Sequence, residues 1–445
     1  MSSQAHVLVI VQNLPVPLDR RVWLECQALR ARGYEVSVIC PKGPGDPARQ
    51  QIDGVFIYKY RPAPGAKGLA GFVIEFSYSW LRTAWLSIRV WRRRRFDIIQ
   101  ACNPPDTYWL LARIWKTRGT KFVFDQHDLN PELFLSRFGK PAGLASRLQY
   151  NGLLWLEKMT YRTADRIIST NESYKRVAIS RGQRRPDDVT VVRSGPDTQH
   201  MRPVYPDAPG PDGPRVFSLV YLGIMGPQDG VDVVLDVMRD LVHVRGRKDV
   251  HATLLGFGDC YDDLRSRAIE LSLDASVTFT GRADRAMIAD HLSVADVGLC
   301  PDLKTPLNDV STMNKTMEYM AYALPSVSFD LVETRVSGGD TVFYVESGDV
   351  TAFADAVERL LDDPDLRLSM ALRARRRVSE ELDWRPQSRS YVRVFDNLSG
   401  RPAVAAAHNE TPPGQSSRED ERGRIFVDLS DDAELRRFVV DRTVR

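Results

Sequence analysis

With 445 residues, 43% hydrophobic and 27% charged, the chain is larger than a single core usually serves, and it predicts two globular domains of soluble composition. Its five cysteines (Cys26, Cys40, Cys102, Cys260, Cys300) are odd in number, widely scattered and form no CxxC or Cys/His cluster, which excludes a disulfide scaffold and a structural metal site and fits a reducing cytoplasm. The formal net charge of +3 hides an asymmetry: residues 1–200 hold 31 Lys and Arg against 17 Asp and Glu, net +14, whereas residues 201–445 hold 30 against 41, net −11.

A basic N-terminal half points to an anionic surface, either membrane or nucleic acid. Residues 1–5 offer no basic start before an apolar run, so no secretory leader is expected, and His6–Val11 is too short to span a bilayer.

In chain order, apolar strand-like runs alternate with helical segments, twice over. The first half predicts strands at His6–Val11, Glu35–Cys40, Val55–Tyr58, Asp97–Gln100, Lys121–Phe124, Arg166–Ser169 and Val189–Val192. The second predicts them at Ser218–Leu222, His251–Leu255, Val277–Phe279, Asp296–Leu299 and Ser326–Phe329. Strands rich in Val and Ile and apolar on both faces call for parallel sheets covered by helices, hence two Rossmann-like α/β domains. The Pro- and Gly-dense stretch 201–215 reads as a linker between a domain at 1–200 and one at 216–383. Such sheets bind ligands beyond the carboxyl ends of their strands, so two facing domains are expected to hold a substrate in a deep cleft between them.

The candidate residues follow strands. After the first strand, Asp19 and Arg20 enter a helix, as acceptor or phosphate contacts or as ordinary surface ion pairs. Phe72–Arg95 predicts a helix with Glu75, Arg82 and Arg89 on one polar stripe, aromatic and apolar residues around most of the rest, and Arg92–Arg95 at its end. It reads as a membrane-surface helix meeting lipid phosphates or as a core helix ending in a solvated arginine run. After the fifth strand, His127 stands among carboxylates, and Asp125 or Asp128 would orient the imidazole. In the second half, Gly223–Gly230 and Gly256-Phe257-Gly258 each follow a strand and let backbone approach a ligand, although Tyr261 stands where a dinucleotide fingerprint needs its third glycine.

The most informative stretch is Ser311–Pro325, which follows an apolar strand and opens a helix. Ser311, Thr312 and Asn314 are expected to cap that helix, its free N–H groups attract anions, and Lys315 adds a full charge, which together suggest a diphosphate cradle. Glu318, one turn further in, is placed to accept hydrogen bonds from sugar hydroxyls. An ordinary capped helix is the plain alternative.

Taken together, Lys315-Thr-Met-Glu318-Tyr-Met-Ala-Tyr-Ala-Leu-Pro325, Asn13-Leu-Pro to Arg30, His127-Asp128, Ser194-Gly-Pro-Asp197 and Gly281-Arg282 resemble the retaining glycosyltransferases of family 4, with the GT-B fold, over nearly residues 5 to 400. The resemblance implies that Glu318 binds the donor ribose, that Arg282 lies near the nucleotide base, and that Gly226, Gly258 and Lys315 face the donor. It implies transfer of a sugar from a nucleotide diphosphate to an acceptor hydroxyl with retention, in the manner of enzymes building lipid-linked or exopolysaccharide glycans. No metal or other cofactor is expected.

His127 is assigned to the reacting centre and Asp19, Arg20 and Asp128 to the acceptor side. Residues 384–398 would be a closing helix crossing back to the N-terminal domain, and 399–445 a flexible tail. Two departures stand out. Val310 occupies the place of the family's first Glu, leaving Asn308, Asp309, Ser311 or Thr312 to contact the sugar, and the loop at Gly226–Asp229 lacks the usual Arg and Lys. The expected location is cytoplasmic and peripheral at an anionic membrane through residues 72–95, with no nucleic-acid partner. An epimerase or hydrolase of the same fold, or a non-catalytic binding protein, are the other readings.

Overall fold

Every residue of His6–Ile10 (β1) is buried, as befits a central strand covered on both faces. The computed structural model describes residues 4–63, 68–206, 215–402, 419–420, 422–429 and 431–444. The chain divides into two compact units, Met1–Ser194 with Arg385–Ala407, and Gly195–Trp384 with His408–Arg445.

In unit 1, β1 is joined by Glu35–Pro41 (β2), Arg49–Ile52 (β3), Val55–Tyr60 (β4), Ile98–Cys102 (β5), Lys121–Gln126 (β6), Arg166–Ser169 (β7) and Val189–Val191 (β8). The sheet order is β3-β4-β2-β1-β5-β6-β7-β8, parallel except for the β3–β4 edge pair. That hairpin was not predicted, because Arg49-Gln50-Gln51 carries no apolar run. Its signal lies in the turn, where Asp53 and Gly54 both take left-handed φ (48° and 79°), as a tight two-residue hairpin requires. The helices are Arg20–Ala31 (α1), Gly68–Arg93 (α2), Trp109–Lys116 (α3), Asn130–Phe138 (α4), Leu144–Thr163 (α5) and Glu172–Ser180 (α6).

Unit 2 holds Phe217–Ile224 (β9), Val250–Phe257 (β10), Val277–Gly281 (β11), Val297–Cys300 (β12), Ser326–Phe329 (β13) and Val342–Val345 (β14), all parallel in the order β11-β10-β9-β12-β13-β14. Its helices are Val231–Arg239 (α7), Tyr261–Glu270 (α8), Arg285–Val294 (α9), Asn314–Ala321 (α10), Val332–Gly338 (α11), Val350–Asp362 (α12) and Pro364–Arg377 (α13). The core beneath the sheet is filled by Val234, Leu235 and Met238 of α7 and Phe353, Val357 and Leu360 of α12, recurring at helical period. Strand order reverses between β1 and β5 in unit 1 and between β9 and β12 in unit 2. At such switch points parallel sheets open a crevice for ligands.

Two segments differ from expectation. The predicted linker is partly structured: Val204 is buried, its N–H reaches Ser293 Oγ at 3.0 Å, and Tyr205 N–H reaches Ile425 O at 3.1 Å, while 207–214 lie outside the described residues. The predicted flexible tail contains a helix, Asp432–Val444, packed on unit 2, while 403–418 lie outside the described residues. Between α13 and that tail runs Trp384–Ser399 (α14), which belongs to unit 1 from Arg385 onward. The tail helix is therefore α15.

Asp396, buried on α14, accepts from Tyr34 Oη and Arg32 Nε, each at 2.9 Å. Asp396→Ala strands a buried phenol and an arginine, and is expected to cost about 1–3 kcal/mol, read as a lower urea midpoint with an unchanged slope.

Candidate functional site

Unit 1 gathers its polar side chains at the carboxyl ends of β5 and β6 and on α1. Asp19 is the N-cap of α1, accepting Val22 N–H at 3.1 Å, which fixes the helix start. The helix then projects Arg21 and Glu25 inward. Arg21 Nη2 meets Asp125 Oδ1 at 3.1 Å, its Nε meets Glu25 Oε1 at 3.0 Å, and Nη1 donates to Val192 O and Ser194 Oγ at 2.9 Å. His127 Nε2 contacts Asp125 Oδ2 at 2.8 Å, leaving Nδ1 as the nitrogen that Asp125 does not engage. Asn103, just past β5, holds the loop through Oδ1, which accepts the N–H groups of His127 and Asp128 at 2.7 and 3.2 Å. Gln100 Nε2 donates to Glu25 Oε2 and Asp125 Oδ2, both at 2.8 Å, and its Oε1 accepts from Tyr391 Oη at 2.5 Å.

Protonation follows from burial and proximity. Burial first, then repulsion from Asp125, push the Glu25 carboxyl up to about 8. Burial alone would raise Asp125 as well, yet His127 and Arg21 hold it well below the usual carboxylate range. Burial would lower His127, but Asp125 raises it above its ordinary value. The cluster at neutral pH is therefore a protonated Glu25, an ionised Asp125, and an imidazole biased toward the cation. Glu25, Cys102, Asp125 and His127 each bring one potential metal-ligand atom within 4.8 Å of the others. The Arg21 guanidinium sits 3.0 to 3.1 Å from the Glu25 and Asp125 carboxylates, so these two acids already share an organic cation.

Unit 2 assembles at the β9/β12 switch point. Lys315 Nζ is paired to Asp302 Oδ1 at 2.5 Å and lies 5.2 Å from the Tyr221 ring centroid. Both charged groups are nearly inaccessible, at 9% and 2% exposure. Burial would lower the Lys315 ammonium, but Asp302, Tyr221 and Asp229 lift it well above the ordinary lysine value, so it is fully protonated. Gly223 makes room for it, since a Cβ there would stand 3.1 Å from Lys315 Cε. Tyr319 Oη accepts Leu222 N–H at 2.9 Å and lies 3.2 Å from Leu299 O, tying α10 to β9 and β12.

The predicted helix cap is corrected. The N-cap of α10 is Met313, with no side-chain cap bond, because the chain first makes a short 3₁₀ turn at Asn308–Val310 and Ser311 Oγ donates back to Leu307 O at 2.8 Å. Asn314 is the first helical residue, and Thr312 lies in the loop before it. Asn308 and Asp309, expected near the sugar, serve backbone: Asn308 Nδ2 donates to Gln228 O and Leu303 O, and Asp309 Oδ1 accepts Val332 N–H at 3.0 Å. The glycines pack loop on loop. A Cβ on Gly258 would stand 2.5 Å from Met225 O, and Gly226 N–H is taken by Asp229 Oδ2 at 2.8 Å. Glu318 is buried on α10, one turn past Lys315.

Arg282, exposed after β11, stacks 4.9 Å from the ring centroid of Phe257, itself part-exposed at the end of β10. In unit 1 Arg21 enters the cluster, and of the two carboxylates expected to orient His127 it is Asp125 that contacts the ring. Arg21, Glu25, Gln100, Asn103 and Asp302 were missed, because the contacts that define their places, the Arg21–Glu25 pair aside, join residues 13 to 291 positions apart in sequence. The one local signal was period: Arg21 and Glu25 are four apart on one helix face.

Helix α2 buries a hydroxyl-bearing face and exposes part of its apolar residues. Ser79, Thr83, Leu86, Ser87 and Val90 are buried, while Ile74, Leu81, Trp85 and Ile88 are exposed. Arg82 and Arg89 flank Trp85, with guanidinium carbons 5.0 and 3.8 Å from its ring centroid. No helix among the described residues is long and apolar enough to cross a membrane.

Two parallel-sheet units with polar clusters at their switch points define the class. Residues 18–195 match the family described as a glycosyl transferase 4-like domain and residues 216–363 the family of glycosyl transferases group 1. Sucrose-phosphate synthase from Thermosynechococcus elongatus superposes with a TM-score of 0.67 at 18% identity over 89% of this chain and 100% of that one, a likeness of fold. The chain belongs to the GT-B glycosyltransferases of family 4. Among characterised relatives, it is 30% identical to an alpha-D-kanosaminyltransferase of Streptomyces kanamyceticus over 34% of this chain and 38% of that one. It is 31% identical to a phosphatidyl-myo-inositol mannosyltransferase of Mycolicibacterium smegmatis over 48% and 55%. The chain thus spans about half the length, or less, of these two relatives.

Glu25 binds its proton more tightly folded than unfolded, so its contribution to stability is fully present below its ordinary pKa near 4.5 and is lost as pH rises through about 8. Glu25→Gln is expected to flatten that part of the stability profile. Urea unfolding of both proteins on either side of this window checks it: the wild type should lose more stability with rising pH than the variant.

Proposed function

We propose that the chain transfers a sugar, with retention of anomeric configuration, from a nucleotide diphosphate to a hydroxyl of a lipid-linked acceptor at an anionic membrane surface, in the assembly of a cell-surface glycan. The observation that carries the donor half is the protonated, buried Lys315 at the start of α10, beside the β9/β12 switch point. As the bond to the anomeric carbon breaks, negative charge grows on the diphosphate, and a fixed cation with oriented backbone N–H groups stabilises it without reorganising. The incoming phosphates would displace Asp302 as partner of the ammonium. No metal is required in this scheme, since Lys315 supplies the neutralising charge. Glu318 is assigned to the donor's ribose hydroxyls, and the Phe257–Arg282 pair offers a stacking edge for its base. His127, held by Asp125, is assigned to the reacting sugar or acceptor hydroxyl.

The acceptor half rests on the surface of unit 1. Exposed Leu81, Trp85 and Ile88 on α2, Ile114 on α3, and Leu148 and Trp155 on α5 form apolar outcrops among Arg82, Arg89 and Arg92–Arg95. The three helices are neighbours, with Trp91 and Trp115 at 4.8 Å and Trp109 and Trp155 at 5.6 Å between ring centroids. Tryptophan with arginine, on a +14 half, suits a headgroup layer. The mannosyltransferase relative's name, which specifies a phosphatidylinositol, supports a lipid acceptor here too.

Calorimetry with a panel of nucleotide sugars identifies the donor, and Lys315→Ala is expected to weaken its binding by about ten- to a hundredfold, the equivalent of about 1.5–3 kcal/mol for a charge-assisted contact. Unchanged affinity would remove Lys315 from the site. Independently, Trp85→Ala combined with Leu81→Ser is expected to reduce co-sedimentation with anionic vesicles while leaving donor affinity intact; binding that persists unchanged would exclude α2 as the membrane contact.

A further inference from the structure

Helix α15 lies outside both family matches and enters none of the chemistry above, yet its inward face ends on the donor helix. Leu435, Phe438, Val439 and Arg442 recur at helical spacing, and all four are buried. The three apolar ones pack with Val427 against Ala371 of α13 and Ala323, two residues past the last turn of α10. Arg442 then reaches the carboxyl end of α10 itself. Its Nη1 donates to Tyr322 O at 3.1 Å and its Nη2 to Ala323 O. Arg375 of α13 completes the set, with Nη1 donating to Ala321 O at 2.8 Å. The three successive carbonyls where α10 ends are therefore held by two guanidinium groups, at the negative end of the helix dipole. Ala323 takes a left-handed φ of 51° there, a conformation uncommon for a residue with a Cβ.

Burying an arginine on neutral carbonyls is expensive. Burial lowers the Arg442 guanidinium to about 10, with Asp296 opposing that shift and Arg367 adding to it. Simple packing of a terminal helix would be served as well by an aliphatic residue at this position. What an arginine adds is a bidentate, directional hold on two carbonyls. Along α10, that hold is relayed over two turns of buried helix to Lys315 and Glu318.

We propose that α15 is a brace for the donor helix, with Arg442 a positioning residue that fixes the axial placement of α10 and thereby of Lys315 against the donor's phosphates. The proposal rests on the donor-binding reading of α10. The brace makes its contribution at the donor, so loosening it raises the donor KM and leaves the acceptor KM unchanged.

The test compares Arg442→Ala, Arg442→Lys and Lys315→Ala in the full chain, using the donor identified by calorimetry. Arg442→Ala is expected to raise the donor KM about tenfold or more, as displacement of a binding group by a fraction of an ångström to one ångström does, with the acceptor KM unchanged. Arg442→Lys, still able to donate to the same carbonyls, is expected to recover part of that loss. Hydrogen exchange of the α10 amides should accelerate in Arg442→Ala and slow again in Arg442→Lys. If Arg442→Ala does not fold, Arg442→Gln, which keeps a donor toward one carbonyl, carries the same readouts. Donor KM unchanged in the Arg442 variants while Lys315→Ala weakens donor binding overturns the brace and leaves the donor site standing. Parallel loss toward both substrates, in step with a lower melting temperature, also overturns it, because the role is then only structural. Donor binding indifferent to Lys315→Ala instead removes the donor reading on which the proposal stands.

Discussion

The arrangement of unit 2 depends on one buried ion pair, Lys315 with Asp302. Each charge leaves water at a cost of several kcal/mol, recovered only if the partner is close and well placed. At 2.5 Å the pair is close, and everything around it serves that distance. Asp302 arrives at the end of β12, Lys315 arrives on the first turn of α10, and Gly223 of β9 lacks the Cβ that would crowd the lysine stem. Tyr319 pins α10 across the same two strands. Hydrophobic residues of similar volume would stabilise such a position as well or better. On the proposed reading, the pair is a stored cation whose partner can be exchanged.

Unit 1 solves a related problem with more groups. Arg21 is buried against two carboxylates and beside an imidazole, where burial penalises every charge and each carboxylate repels the other. Asp125 contacts both the guanidinium, at 3.1 Å, and the imidazole, at 2.8 Å, so it keeps its charge, and Glu25 takes the proton. The Gln100 amide is oriented by the same logic. Its NH₂ faces the two acids, which forces its oxygen toward Tyr391, and the phenol supplies the only proton that direction needs. Helix α14 thus contributes a hydrogen bond to the cluster through a single buried glutamine.

Much of this architecture was legible in the sequence. The central strands declared themselves by unbroken apolar runs, since burial on both faces leaves nothing to alternate. The edge strands β3 and β14 did not, because an edge is half-wetted and tolerates Arg49, Gln50 and Gln51 or a run of only four residues. His127 was readable as a polar residue just past a strand, and Lys315 as a charge at the start of an expected helix. Their partners were not, because Asp302 and Arg21 acquire meaning only through space. The cap at Ser311 failed for a local reason: a 3₁₀ turn intervened, and the hydroxyl was spent on Leu307 before the helix began. The buried face of α2 was not read from the sequence, because small hydroxyls can face a core when hydrogen-bonded. Ser87, for instance, donates to Ala84 O and accepts from the Trp115 indole.

Helix α10 shows why the two ends of one element must be considered together. Eight residues are too few to form a stable helix alone, so its position is set by what holds it. A lysine in the first turn opposes the helix dipole and by itself is unfavourable there. Asp302 supplies the negative charge that this end prefers, and at the other end Arg375 and Arg442 supply the positive charge that the carbonyls prefer. The helix is therefore electrostatically satisfied only with an anion at its start and cations at its finish. On the proposed reading, a nucleotide diphosphate is a stronger anion than Asp302 and can take over its role at the start, while the arginines keep the helix from shifting as the exchange occurs. Binding then replaces one ion pair by another without unmaking the fold that presents it.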